Sequence, residues 1–234
     1  MILVIDTATS EAVVGLGGST RGREGPDGGI AVRTWPVRHQ HGETLLPTLI
    51  AFLAEQGVNL AELRGIVVGT GPGAFTGLRV GLATAKGLAH GLGLPIVGIS
   101  TGEALLDAAR ASVEASEADA GTDAFLLLLP AGPNDRVAIR SGRSPELLPG
   151  GLEPAIDPAD RLVAVDLEGR APADAVARGE AARGGLAGAL FRLGAARLTA
   201  GEPDDLAELV PEYVTLPRGI RASSGEVTWS RDHR

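Results

Sequence analysis

The stretch GTGPGAFTGLRVG, Gly69 to Gly81, follows the β-branched run Gly65-Ile66-Val67-Val68 and runs on into helix-forming residues. A strand, a glycine-rich turn and a helix in that order commit the chain to an α/β unit with a crossover. The same order opens many phosphate-binding loops, but the residues match neither common fingerprint. A P-loop requires Lys-Ser/Thr straight after its last glycine, whereas Gly77 is followed by Leu78 and Arg79. The dinucleotide pattern G-x-G-x-x-G does not fit Gly71, Gly73 and Gly77, which are spaced one residue too far. The alternative is a tight turn that lets a helix pack closely on a sheet.

Around this unit the pattern extends in both directions. Ile2–Ile5, Ala12–Leu16 and Ile30–Val37 read as strands of a meander separated by Gly/Ser/Pro-rich turns. Glu43–Gln56 carries two adjacent apolar stripes at helical spacing, Leu45/Leu49/Phe52 and Leu46/Ile50/Leu53. Thr76–His90 is a second helix, and Ile96–Ile99 a further strand. An α/β lobe over residues 1–100 follows, with a second, divergent lobe over 101–217. In that lobe Ala111–Thr122 reads as a polar linker, Phe125–Leu129, Arg136–Arg140 and Arg161–Val165 as strands, and Gly185–Leu198 as a helix. The tail, residues 218–234, bears Arg218, Arg221, Arg231 and Arg234 and reads as mobile.

Composition excludes several functions. A net charge of -8 argues against a chain that grips a nucleic-acid backbone by itself. The absence of cysteine removes disulfides and thiolate chemistry. The four histidines, His39, His41, His90 and His233, include no i, i+4 pair, so no metal site is expected. Met1-Ile2-Leu3-Val4-Ile5-Asp6 lacks a basic n-region and reads as a strand, and no apolar run approaches a membrane span, so a cytoplasmic location is the expectation. Asp6, with Thr7 and Thr9 after it, is placed where a carboxylate and hydroxyls hold a metal-bound phosphate or else open a hairpin turn. The two apolar helices, through Leu45, Leu46, Leu49, Ile50, Leu53, Gly77, Gly81 and Leu82, offer more small and apolar surface than one sheet face requires, which points to a thick core or a protein partner.

Four segments together, ILVIDTATS, His41-Gly42-Glu43-Thr44-Leu45-Leu46-Pro47, GTGPGAFTGLRVGLATAKGLA and Pro211-Glu212-Tyr213-Val214, resemble the TsaB (YeaZ) family. The signature turn Gly71, Pro72, Gly73, Phe75, Thr76, Gly77, Arg79 is the most specific of them; the DTAT start is shared with actin-like ATPases and sugar kinases at large. The likeness is strong over residues 1–100 and thin from about 110 to 200. It implies a two-lobed, actin-like (ribonuclease H-like) α/β fold and a non-catalytic subunit for threonylcarbamoylation of the tRNA adenosine next to the anticodon. That subunit acts with its paralogue TsaD and with TsaE, and meets tRNA through the complex. The two helices are expected to pack on the equivalent pair of TsaD, and to form a homodimer in its absence. The metal-holding histidines of the TsaD type fall here at Thr101 and Leu105, which cannot ligate, so no cofactor is expected beyond a weak or vestigial nucleotide site at Asp6, Thr7, Thr9, Gly71 and Gly73. Leu129–Arg136 departs from the Asp-Ala-Arg-like segment frequent in the family. The rival is an ATP-dependent or glycopeptidase-like enzyme of the same superfamily; a second rival is a tRNA-binding module, which the acidic balance disfavours.

Overall fold

The computed structural model describes residues 1–18, 29–37, 41–116, 124–157 and 159–214. The expected mixed α/β fold is present. Strands β1 (Ile2–Asp6), β2 (Glu11–Gly17) and β3 (Ile30–Pro36) form an antiparallel meander. Helix α1 (His41–Glu55) leads to β4 (Gly65–Gly69), helix α2 (Phe75–Leu92) to β5 (Ile96–Ile99), and both strands run parallel to β1. The sheet order is β3-β2-β1-β4-β5.

The second sheet repeats the plan. β6 (Ala124–Pro130), β7 (Arg136–Ile139) and β8 (Glu146–Leu148) form a second meander, and β9 (Asp160–Ala164) joins β6 in parallel, giving the order β8-β7-β6-β9. Helix α3 (Thr101–Ser116) connects the sheets, and α4 (Ala173–Ala200) follows β9. The linker expected over Ala111–Thr122 is thus corrected: Ala111–Ser116 is the last part of α3. The helix expected over Gly185–Leu198 begins twelve residues earlier, and β8 was not expected. Residues 215–234, including the four tail arginines, and His39 lie outside the described residues.

Alternation along the strands separates the layers. Leu3, Ile5, Val14, Ile66 and Val68 meet Leu45, Leu49, Phe52 and Leu82 of α1 and α2 on one face of the first sheet. Val4, Val13, Val67 and Val97 on the other face join Leu105, Leu186 and Leu190 of α3 and α4, and these in turn meet Leu127, Leu129 and Val163 of the second sheet. Helices α3 and α4 are therefore a shared filling between two sheets. Small residues allow it: a Cβ on Gly179 of α4 would lie 1.9 Å from the Ala164 carbonyl oxygen, so only glycine permits that approach.

After α4 the chain runs back along the first sheet. Asp204 donates its N–H to the Ile96 carbonyl and accepts the Gly98 N–H on its side chain, and Glu212 donates its N–H to the Thr70 carbonyl. This strap, residues 201–214, covers the outer edge of β5, which would otherwise present unpaired backbone groups.

Candidate functional site

The C-terminal ends of parallel strands β1 and β4, where open α/β sheets place their ligands, carry the signature turn. Asp6 ends β1 and is completely buried. Its Oδ1 accepts the Ala8 N–H at 2.8 Å and its Oδ2 the Thr101 hydroxyl at 2.6 Å. Burial raises the Asp6 carboxyl to about 6, opposed by the Thr101 hydroxyl and the Ala8 amide. The carboxylate also lies against the backbone of Gly69, where a Cβ would come within 1.7 Å of Oδ2.

Thr7 and Thr9 spend their hydroxyls inside the chain. Thr7 Oγ1 donates to the Gly77 carbonyl at 2.7 Å, and Thr9 Oγ1 donates to the Glu11 carbonyl at 2.9 Å. The glycine turn does the same with its amides. Gly71 N donates to Thr101 Oγ1 at 3.1 Å and Ala74 N to the Ala8 carbonyl at 2.8 Å. A Cβ at Gly73 would lie 2.2 Å from that same carbonyl oxygen. The Thr7–Ser10 turn thus packs directly against the glycine turn, and the Gly71 and Ala74 amides are taken within the chain. The described residues contain no cluster of three or more His, Cys, Asp or Glu able to hold a metal.

The outer part of the signature meets the strap. Arg79 stacks on Phe75, its guanidinium carbon 3.9 Å from the ring centroid, and its Nε donates to the Tyr213 hydroxyl at 2.9 Å. The Phe75 and Tyr213 ring centroids are 5.0 Å apart. Ser100 Oγ donates to Glu212 Oε2 at 3.2 Å; burial raises the Glu212 carboxyl, the Ser100 hydroxyl opposes this, and the neighbouring Glu103 charge adds to it. Pro72, Gly73 and Phe75 thus form one wall of a shallow crevice, with Leu129–Ala131 and Val137 opposite and Glu212–Val214 beside them. The segment Leu129–Arg136 supplies that opposite wall and the β6–β7 turn, which Arg170 pins through the carbonyls of Gly132 and Asp135. Thr76 is exposed.

The residues read as an interface divide. Leu45, Leu49, Leu53 and Leu82 are buried in the core of their own chain, and Gly77 and Gly81 face the Thr7 turn; a Cβ at Gly81 would come 2.2 Å from Thr7 Oγ1. Leu46 and Ile50 are 47% and 45% exposed. Thr44 and Glu55 on one flank of α1 bond to Trp35 and Arg33 of β3, so the flank bearing Leu46 and Ile50 is turned toward α2. On α2 the outward line is Ala83, Gly87 and Gly91, all exposed, with nothing within 4 Å of a Cβ built on either glycine. Sequence reasoning named Gly77 and Gly81 and missed this second small-residue line; the first faces Thr7 of its own chain, the second nothing within 4 Å. It also missed Asp166 and Arg183, which bond to Ser10.

The family model for TsaD, tRNA N6-adenosine threonylcarbamoyltransferase, matches residues 28–186. The chain belongs to this family, on its TsaB (YeaZ) branch. Over 100 residues it is 36% identical to the tRNA threonylcarbamoyladenosine biosynthesis protein TsaB of Escherichia coli, covering 43% of this chain and 40% of that one. Over 123 residues it is 36% identical to the protein of the same name from Haemophilus influenzae, covering 53% and 49%. The matched stretch spans about half the length, or less, of these curated relatives. The solved structure of YeaZ from Pseudomonas aeruginosa superposes with a TM-score of 0.63 over 91% of this chain and 99% of that one, at 23% identity, which places this TsaB-branch chain in the actin-like fold. Among the described residues no helix is long and apolar enough to cross a membrane.

Proposed function

We propose that this chain is a non-catalytic subunit for threonylcarbamoylation of the tRNA adenosine next to the anticodon, docking a TsaD-type transferase through the outer faces of α1 and α2, with TsaE joining the pair. The observation that carries the reading is the combination of a glycine turn packed on its own chain with an exposed helix pair. The Gly71 and Ala74 amides of the turn are taken by Thr101 and Ala8, while Leu46 and Ile50 on α1 and the line Ala83, Gly87 and Gly91 on α2 stand exposed. Apolar side chains flanking a small-residue line suit close approach of a second helix pair. The places of the transferase-type histidines support the same reading: Thr101 is bonded to Asp6, and Leu105 is buried in the core.

Without TsaD the same surface joins two copies of this chain. The test is sedimentation of wild type and a Leu46→Glu/Ile50→Glu double variant, alone and with TsaD, alongside modified-nucleoside formation in the reconstituted system. The variant is expected to be folded and monomeric, to lose TsaD binding and to support no modification. Wild-type binding by a folded variant rejects the surface. Enzymatic ATP hydrolysis by the isolated chain, abolished by Asp6→Ala, rejects the non-catalytic reading in favour of the superfamily-enzyme alternative.

A further inference from the structure

The start of α2 lacks a side-chain cap: Ala74 stands at the N-cap and contributes none. Its amide donates to the Ala8 carbonyl, and Thr7 Oγ1 donates to the Gly77 carbonyl in the first turn, so two hydrogen bonds tie the Thr7–Ser10 turn to the start of α2. What holds that turn comes from the far end of the chain. Asp166, just past β9, accepts the Ser10 N–H at 2.7 Å on Oδ2 and the Ser10 hydroxyl at 2.6 Å on Oδ1. Arg183 of α4 donates from Nη1 to Asp166 Oδ1 at 2.6 Å and to Ser10 Oγ at 3.1 Å, and its Nε lies 3.7 Å from Glu11 Oε2. Asp166 adopts φ 57°, the one positive φ among the described non-glycine residues, a left-handed conformation that aspartate tolerates better than most residues and that its partners here hold in place. Charge-assisted bonds to both carboxylate oxygens supply that hold.

We infer that Asp166 and Arg183 are positioning residues through which the second sheet braces the Thr7–Ser10 turn and, through it, the first turn of α2. The second lobe then supports the docking helices without touching their outer face, an extension that rests on the partner surface proposed above. Coupling of this kind requires a contiguous set of contacts, and here each link is a hydrogen bond at 3.1 Å or less: Arg183 to Asp166, Asp166 to Ser10, and the Ser10 turn to Ala74 and Gly77.

The test is amide hydrogen exchange on full-length Asp166→Gly, which removes the carboxylate while leaving the left-handed backbone unstrained, with TsaD affinity measured in parallel. Exchange at Ser10, Ala74 and Leu78 is expected to quicken on the order of tenfold or more, with Ile66 and Val68 of β4 as in wild type. Asp166→Asn, which keeps an acceptor and tolerates the same φ, restores part of the protection. TsaD affinity is expected to fall about tenfold in Asp166→Gly. Should β4 also lose protection, Arg183→Gln, which leaves the backbone untouched, gives the same readout. Wild-type exchange at Ala74 and Leu78 in a folded variant overturns the inference. Faster exchange there with unchanged TsaD affinity upholds the brace and instead rejects α2 as the docking element.

Discussion

Full burial strips a carboxylate of hydration that one hydroxyl and one amide donor only partly replace, so its proton is held more tightly than in water, and this fixes the sign of a pH effect. The Asp6 carboxyl is raised from 3.8 to about 6 in the fold. Its contribution to stability is therefore fully present below pH 3.8 and is lost as pH rises through 6, a difference of about 3 kcal/mol at most for a shift of about two pH units. Asp6→Asn keeps an acceptor toward the Ala8 amide and turns an amide donor toward Thr101. Urea unfolding at pH 4 and pH 7.5 should show wild type losing stability relative to this variant across that interval; parallel behaviour of the two would remove the argument. Gly81 gives a second residue-scale prediction. Gly81→Ala drives a methyl into Thr7 Oγ1 and should cost 1–3 kcal/mol, about the range for overpacking. Combining it with Thr7→Ala should recover part of that loss, so thermal denaturation of the four species in the cycle is expected to show non-additivity.

Among the elements, α2 carries two contrasting glycine lines, and they separate folding from association. Gly87→Arg places a long charged side chain where nothing lies within 4 Å, so the isolated chain should keep wild-type stability within about 0.5–1 kcal/mol, glycine itself being a poor helix former. Binding of a second helix pair should be abolished. Sedimentation and calorimetry on the same sample decide it: a dimer of wild-type affinity in Gly87→Arg excludes this line from the contact. The strap makes a different prediction. Tyr213→Phe removes the acceptor of Arg79 Nε but keeps the ring beside Phe75, and Tyr213→Ala removes both. The first should cost about 0.5–1.5 kcal/mol and the second more, since ring contacts add to the lost bond; equal losses would show that the stack contributes nothing.

For the molecule as a whole, legibility followed the size of the apolar side chains. The first meander, α1 and the strand-turn-helix of β4 and α2 were readable because Val, Ile and Leu mark their inward faces, and β5 was found at its observed bounds. Helices α3 and the N-terminal half of α4 were not, because apart from the single pair Leu105 and Leu106 their buried faces are built from Ala104, Ala108, Ala109, Ala175, Gly179 and Ala182, which give no hydrophobic period to read. The site divides in the same way. The signature turn and Asp6 stand out as local runs, whereas Asp166 and Arg183 acquire meaning only from contacts to Ser10, 156 and 173 residues away. The duplicated sheet order was equally hidden, since it is a property of pairing and not of any repeated segment.

The filling shared by the two sheets has a consequence for biosynthesis. Val4, Val13, Val67 and Val97 are covered by side chains that include Leu186 and Leu190. A nascent chain that has just completed β5 therefore carries one finished sheet face and one bare one, and it keeps the bare face until α4, nearly a hundred residues later, has left the ribosome. At roughly 5–20 residues per second that interval lasts about 5–20 seconds, long enough for a holdase chaperone to bind. A fragment of residues 1–100 should accordingly aggregate or bind hydrophobic dyes when made alone, and become soluble when α3 through α4 are supplied in the same chain.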